Sequence, residues 1–408
     1  MHRSKFALVF AVIFFVIVFT LTMLYAQDPH AQEPHDHAAM HAANATPLHL
    51  AGKVRIPTEP SRPVYKPAHC DEHGNIYFRA YQPEERKVPV VRVDARADGT
   101  GKATRYSLDP DAAFATATAY DFSVLPNGNL YQPVQLGKDV YIVGYDKQPS
   151  DSQPSDKAGT IRWKARLEKQ FWVSRLVAFD DSKFLVIGTE PQSPTAPTET
   201  RTYHPVVAIF DATGHLVRNV SLSDKSRSDK SPADKPAQPG EQNDEKTTSP
   251  PLLAVLSADG QAGMGGRVYL MVHSEPAVVY AIDATGSVVG TWEITAPAER
   301  MTAISMSLMS LEKNQIAVEF RHSFQGMSHG EDIISVFNLK DGDLGHGDLS
   351  HGHRAAEAAR FSVPAELSSS VLGCLVGNDA VFVGPDAVGP DTPGPKSLVI
   401  QHAVAAKR

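Results

Sequence analysis

His273 and His322 are the residues in this chain best suited to chemistry. Each stands where a β-rich apolar run gives way to polar residues, and Arg79, Gln132, Glu190, Arg321 and Asp386 occupy comparable run ends. Two imidazoles and an acidic partner would hold a divalent metal ion, because neutral imidazole and carboxylate are ordinary zinc ligands. Arg79 or Arg321 would hold an anion through the planar guanidinium fork. The competing reading of all seven is plainer: strands finish in polar side chains as they reach water. A second group lies near the N-terminus, where His35, His37 and His41, with His30, Met40 and His49, offer imidazoles and a thioether to copper, zinc or nickel. His346, His351 and His353 form a third. Compositional drift is the plainer account of both tracts, since flexible low-complexity chain holds ligands together only loosely. No G-x-S-x-G elbow, H-E-x-x-H helix or Walker loop occurs, so no catalytic residue is named and the cofactor, beyond a divalent metal, stays unassigned.

The elements that must position these residues are announced by an internal echo. Phe210-Asp-Ala-Thr-Gly-His-Leu-Val217 returns as Ile282-Asp-Ala-Thr-Gly-Ser-Val-Val289, each time after a β-branched apolar run, with weaker copies ending at Gly99 and Gly342. A pattern that recurs at this spacing implies stacked β-units, each unable to bury its faces alone. Six units of about four strands can be drawn, the last starting at Ser368 and one strand short. Leu48 to Ile56 is the donor expected to complete it and so remove an exposed edge. The expected fold is therefore all-β, a six-bladed β-propeller over residues 48–404. Ser, Asp, Lys and Pro dominate 223–251, which reads as a disordered insert between the third and fourth blades. Cys70 and Cys374 precede matching Gly-Asn pairs in the first and last units, and a disulfide between them is one reading, two buried thiols the other.

Composition narrows the partners. The chain has 408 residues and a formal net charge of −7 with both signs interspersed, which leaves no basic stripe for nucleic acid. Arg3 and Lys5 precede an uncharged run from Phe6 to Tyr25, near the ~20 apolar residues that span a bilayer. Residues 1–26 are read as a signal anchor holding the protein to the membrane through 6–25, or as a signal peptide cleaved near Ala26. Residues 27–47 are read as a His-rich tether. Positive charge ahead of the span leaves the remainder outside the cytoplasm, periplasmic or extracellular.

The turn followed by Asn-hydrophobic-Tyr (Gly74-Asn-Ile-Tyr77, Gly128-Asn-Leu-Tyr131) and the later Asp-x-x-Gly (Asp211 to Gly214, Asp283 to Gly286) resemble the NHL-like and TolB-like six-bladed propellers. That resemblance implies the fold and not the activity, since the superfamily includes binding scaffolds, lyases and hydrolases. The fifth and sixth units lack the full Asp-x-x-Gly turn, so no family active site is carried over. The functional expectation is a scaffold that binds a protein or small-molecule ligand on its loop-rich rim. The alternative is a metal-assisted lyase or hydrolase on the same rim.

Overall fold

The computed structural model describes residues 45–56, 64–80, 88–94, 103–108, 111–119, 121–145, 159–191, 203–222, 252–263, 266–299, 301–310, 314–322, 332–339, 353–385 and 398–405. The apolar run 6–25, the tether up to residue 44, the insert 223–251 and Asp386 lie outside them. Among the described residues no helix is long and apolar enough to cross a membrane.

The chain builds a propeller-like all-β body from short antiparallel units. Strand β1 is Thr46–Arg55, two residues earlier in the chain than expected. The first unit is β2 (Val64–Cys70), β3 (Asn75–Ala80), β4 (Val90–Asp94) and β5 (Ala103–Tyr106); the second is β6 (Ser123–Val124), β7 (Leu130–Leu136), β8 (Asp139–Tyr145) and β9 (Ile161–Arg166). The third is β10 (Trp172–Ala178), β11 (Lys183–Pro191), β12 (Tyr203–Asp211) and β13 (Leu216–Asn219). A single helical turn, α1 (Leu252–Val255), leads into β14 (Asp259–Ala262), β15 (Arg267–Val272), β16 (Ala277–Asp283) and β17 (Val288–Ile294). Then come β18 (Met301–Ser310), β19 (Gln315–His322), β20 (Ile333–Asn338), β21 (His353–Arg354) and β22 (Ala356–Ser362), and finally β23 (Val371–Val376), β24 (Asp379–Pro385) and β25 (Leu398–Ala405).

Hydrogen bonding joins these strands into five sheets rather than six separate ones: three of four strands, one of five and one of eight. The five-stranded sheet gains β21, which adds parallel to β17 through Trp292 and Glu293. The eight-stranded sheet arises because β1 serves two neighbours. It runs antiparallel to β25 from Leu48↔Ala405 to Arg55↔Val399, and its first two residues also pair parallel with Phe361 and Ser362 of β22. The N-terminal strand thus covers the edge of the C-terminal one.

Packing follows from the two-residue period of each strand. Alternate side chains enter opposite faces, and the apolar clusters fill the spaces between successive units. One joins Tyr77 and Val90 to Leu130 and Val143; another joins Leu185 and Ile209 to Leu270 and Tyr280. A third joins Val279 and Trp292 to Ile316 and Phe320, and the last brings Phe78 and Val91 against Val381 and Ile400. First strands touch in the cyclic order β2, β6, β10, β14, β18, β23 and back to β2. Cys70 on β2 and Cys374 on β23 are joined by a disulfide across that junction, with 5.8 Å between their Cα atoms.

The echoed Asp-Ala-Thr-Gly is a hairpin turn. Asp211 Oδ1 accepts hydrogen bonds from the Thr213 N–H and hydroxyl and from the His215 N–H. Asp283 Oδ1 does the same with Thr285 and Ser287. Gly214 and Gly286 follow with φ of +87° and +83°, a region other residues avoid. The echo therefore specifies the last hairpin of two units.

Candidate functional site

Antiparallel strand order places the connections from second to third strands, and from one unit to the next, on one face. Five of the residues singled out have described side chains, and each is held by neighbours; Gln132 stands inside β7 rather than at its end. Arg79 Nη2 donates to the Ala119 carbonyl at 2.6 Å, bracing the segment before β6. Gln132 is buried, and its Oε1 accepts the Tyr145 hydroxyl at 2.5 Å. Glu190 pairs with His204 at 2.9 Å and, more loosely, with Lys169 at 3.9 Å. His273 Nδ1 lies 2.8 Å from the Ala303 carbonyl, and its Nε2 3.8 Å from Asp259. Arg321 grips both oxygens of Asp332, reaches Glu319 at 3.2 Å and donates to the Ser368 carbonyl. Burial works against the Arg321 charge, but Asp332 and Glu319 hold its pKa above the usual arginine value.

Arg79, His273 and, through the Ser368 carbonyl, Arg321 thus reach the next unit, whereas Gln132 and Glu190 pair within their own. His273 and Arg321 act in different seams. The side chain of His322, Asp386 and the N-terminal His35, His37 and His41 lie outside the described residues. Among the described residues no group of three or more His, Cys, Asp and Glu is gathered as a metal centre.

The axis holds polar residues that strand-end reasoning missed. Gln261 Nε2 on β14 donates to His69 Nδ1 on β2 at 2.9 Å and to the Met306 carbonyl on β18 at 3.0 Å. In the cyclic order β2 and β14 are three steps apart in either direction, so this bond crosses the centre. Burial lowers the His69 pKa to about 4; the Gln261 bond opposes the shift and the Arg175 charge adds to it. The imidazole is neutral and accepts a hydrogen bond.

Two buried carboxylates above it do parallel jobs. Asp121 Oδ2 accepts the Leu176 N–H of the next unit at 2.7 Å, and Asp259 Oδ2 accepts the Met306 N–H of its next unit at 3.2 Å. Each staples one inner strand to the following one. Burial raises the Asp121 pKa, against the pull of Arg175, the Leu176 amide and Arg79. The signal available in the sequence was an acid placed two residues before Ser123 and two before Gln261, on the inner strands rather than at the ends of the second.

Beside His273 the same face opens into a cleft of about 430 Å³. Its walls come from the β15–β16 connection (Ser274 to Ala277), from Ile294, Ala296, Ala298 and Glu299 after β17, and from Met301, Thr302, Ala303 and Phe320 on the next unit. Ile294, Met301 and Phe320 are buried members of the apolar seam, and the short alanines in front of them leave the space. Glu275 and Glu299 stand exposed at the mouth. The Ser274 hydroxyl is spent on the Pro276 carbonyl at 2.6 Å, inside its own turn. The arrangement is a recess of mixed polarity, with buried apolar side chains behind it, the hydroxyls of Ser274 and Thr302 in its wall and two carboxylates at its mouth.

Neither a protein-family model nor a curated protein sequence matches the chain. Among solved structures it is similar to a DUF4221 family member from Bacteroides vulgatus, at 10% identity and a TM-score of 0.49, covering 89% of this chain and 99% of that one. It is also similar to a protein of unknown function from Dyadobacter fermentans, at 8% identity and a TM-score of 0.43, over 88% of this chain and 99% of that one. A Bacteroides caccae protein of unknown function matches at 10% identity and a TM-score of 0.34, over 72% and 85% of the two chains.

Proposed function

We propose that this protein is an extracytoplasmic six-bladed propeller, tethered to the membrane through residues 6–25, that works as a binding module. The observation carrying the binding role is the cleft beside His273. It falls on the loop-bearing face, its walls belong to two units, and its volume is that of a small-ligand or side-chain site. The six-blade reading is supported by the cyclic order of the first strands and by the short parallel pair at which the eight-stranded sheet divides into two antiparallel quartets. The charge pattern of the first residues supports the tether, and the Cys70–Cys374 disulfide fits an oxidising compartment.

Filling the cleft tests the reading. Residues 45–408 are screened against a fragment library by ligand-observed NMR, beside Ala303→Trp and a far-face control, His73→Trp. Fragments are expected to bind the native protein and the control and to be lost in Ala303→Trp. If Ala303→Trp does not fold, Ala298→Leu narrows the mouth instead. Equal binding by native and filled protein would overturn the assignment, as would no binding at all.

A further inference from the structure

From the charge at its mouth we infer that the cleft takes a cationic peptide segment: one apolar side chain seated in the recess, with Lys or Arg on either side of it. This rests on the cleft being the binding site and adds the class of ligand. Ile294, Met301 and Phe320 line the recess without offering a side-chain hydrogen bond, so an apolar side chain suits that part of it. The lips select the sign. Glu275 and Glu299 are exposed, both line the cleft, and among the described residues neither has a salt-bridge or hydrogen-bond partner. The two carboxylates at the mouth present negative potential to whatever enters.

Size and overall charge argue for a peptide over a small amine. A volume of about 430 Å³ admits one large side chain with its backbone, and the two lips lie on different connections, so a single ammonium cannot serve both as well as two flanking cations. The formal net charge of −7 attracts a basic partner at long range and repels a second copy of this chain.

The probes are three capped tripeptides, Lys-Phe-Lys, Ser-Phe-Ser and Glu-Phe-Glu, with phenethylamine as a fourth, measured by calorimetry on residues 45–408. Lys-Phe-Lys is expected to bind best and Glu-Phe-Glu not measurably. Glu275→Gln/Glu299→Gln is expected to weaken Lys-Phe-Lys by roughly fivefold, the scale of two exposed charge pairs, and to leave Ser-Phe-Ser unchanged. Raising salt should erase the same difference. If all three peptides bind alike and Ala303→Trp abolishes them, the cleft is a site but the cationic class is wrong. Phenethylamine binding as tightly as Lys-Phe-Lys would point to small amines instead and overturn the peptide. Concentration-dependent dimers that Ala303→Trp dissolves would make a second copy the occupant. Peptides indifferent to Ala303→Trp would remove the site itself.

Discussion

His69 is a buried imidazole whose protonation opposes folding. Its folded pKa is about 4 against an ordinary 6.5, so as pH falls the unfolded chain takes up the proton first. Stability attributable to this residue is complete above pH 6.5 and declines between about 6.5 and 4, with roughly 3 kcal/mol at stake from the size of the shift. Protonation would also set an N–H against the Gln261 amide, which is already a donor to Met306. Chemical denaturation of His69→Gln across pH 4–7 should show a flatter stability profile than native; an unchanged slope would assign the acid limb to other groups. The two carboxylate staples make a second prediction. Asp121→Ala strips the buried Leu176 N–H of its acceptor and should cost about 1–3 kcal/mol, whereas Asp121→Asn keeps an acceptor there and should cost less. Urea midpoints for the two variants measure the difference.

At the level of elements, the sequence was legible where local chemistry repeats. The Asp-x-x-Gly turns, the short apolar strands and the closing role of the strand near residue 48 all follow from period and composition, because a hairpin needs its positive-φ glycine and an open edge needs a cover. The site was less legible. Arg79, Gln132, Glu190, His273 and Arg321 were singled out as strand ends, but Gln132 lies inside its strand, and the direction each side chain takes depends on which partner, in its own unit or the next, comes within reach. Asp121, His69 and Gln261 carry no motif; only the ring brings residues 69 and 261 together. The two echoed turns differ in the same way. A Cβ on Gly214 would come within 2.0 Å of the Arg166 carbonyl, whereas on Gly286 it would meet the movable Arg218 side chain at 3.0 Å. Both alanine variants bear the positive-φ cost of about 1 kcal/mol, and Gly214→Ala should cost clearly more than Gly286→Ala in thermal unfolding. Equal losses would mean that the neighbouring hairpin yields.

For the whole molecule, the chain ends are held together twice, by β1 along β25 and by the disulfide between residues 304 apart in sequence. A cross-link that closes so long a loop restricts the unfolded chain, and its removal in Cys70→Ser/Cys374→Ser should lower stability by about 2–5 kcal/mol while the strand pairing keeps the ring shut. Circular dichroism should then show a lower melting temperature with the native β-spectrum retained below it. The proposed binding role falls to the loop-bearing face, and that is the claim on which the functional account stands. Methyl NMR of alanine- and methionine-labelled protein, titrated with the Lys-Phe-Lys peptide, reads that face directly. Shifts confined to Ala277, Ala296, Ala298, Met301 and Ala303 are the predicted result; shifts centred on other methyls, or none at saturating peptide, would contradict it.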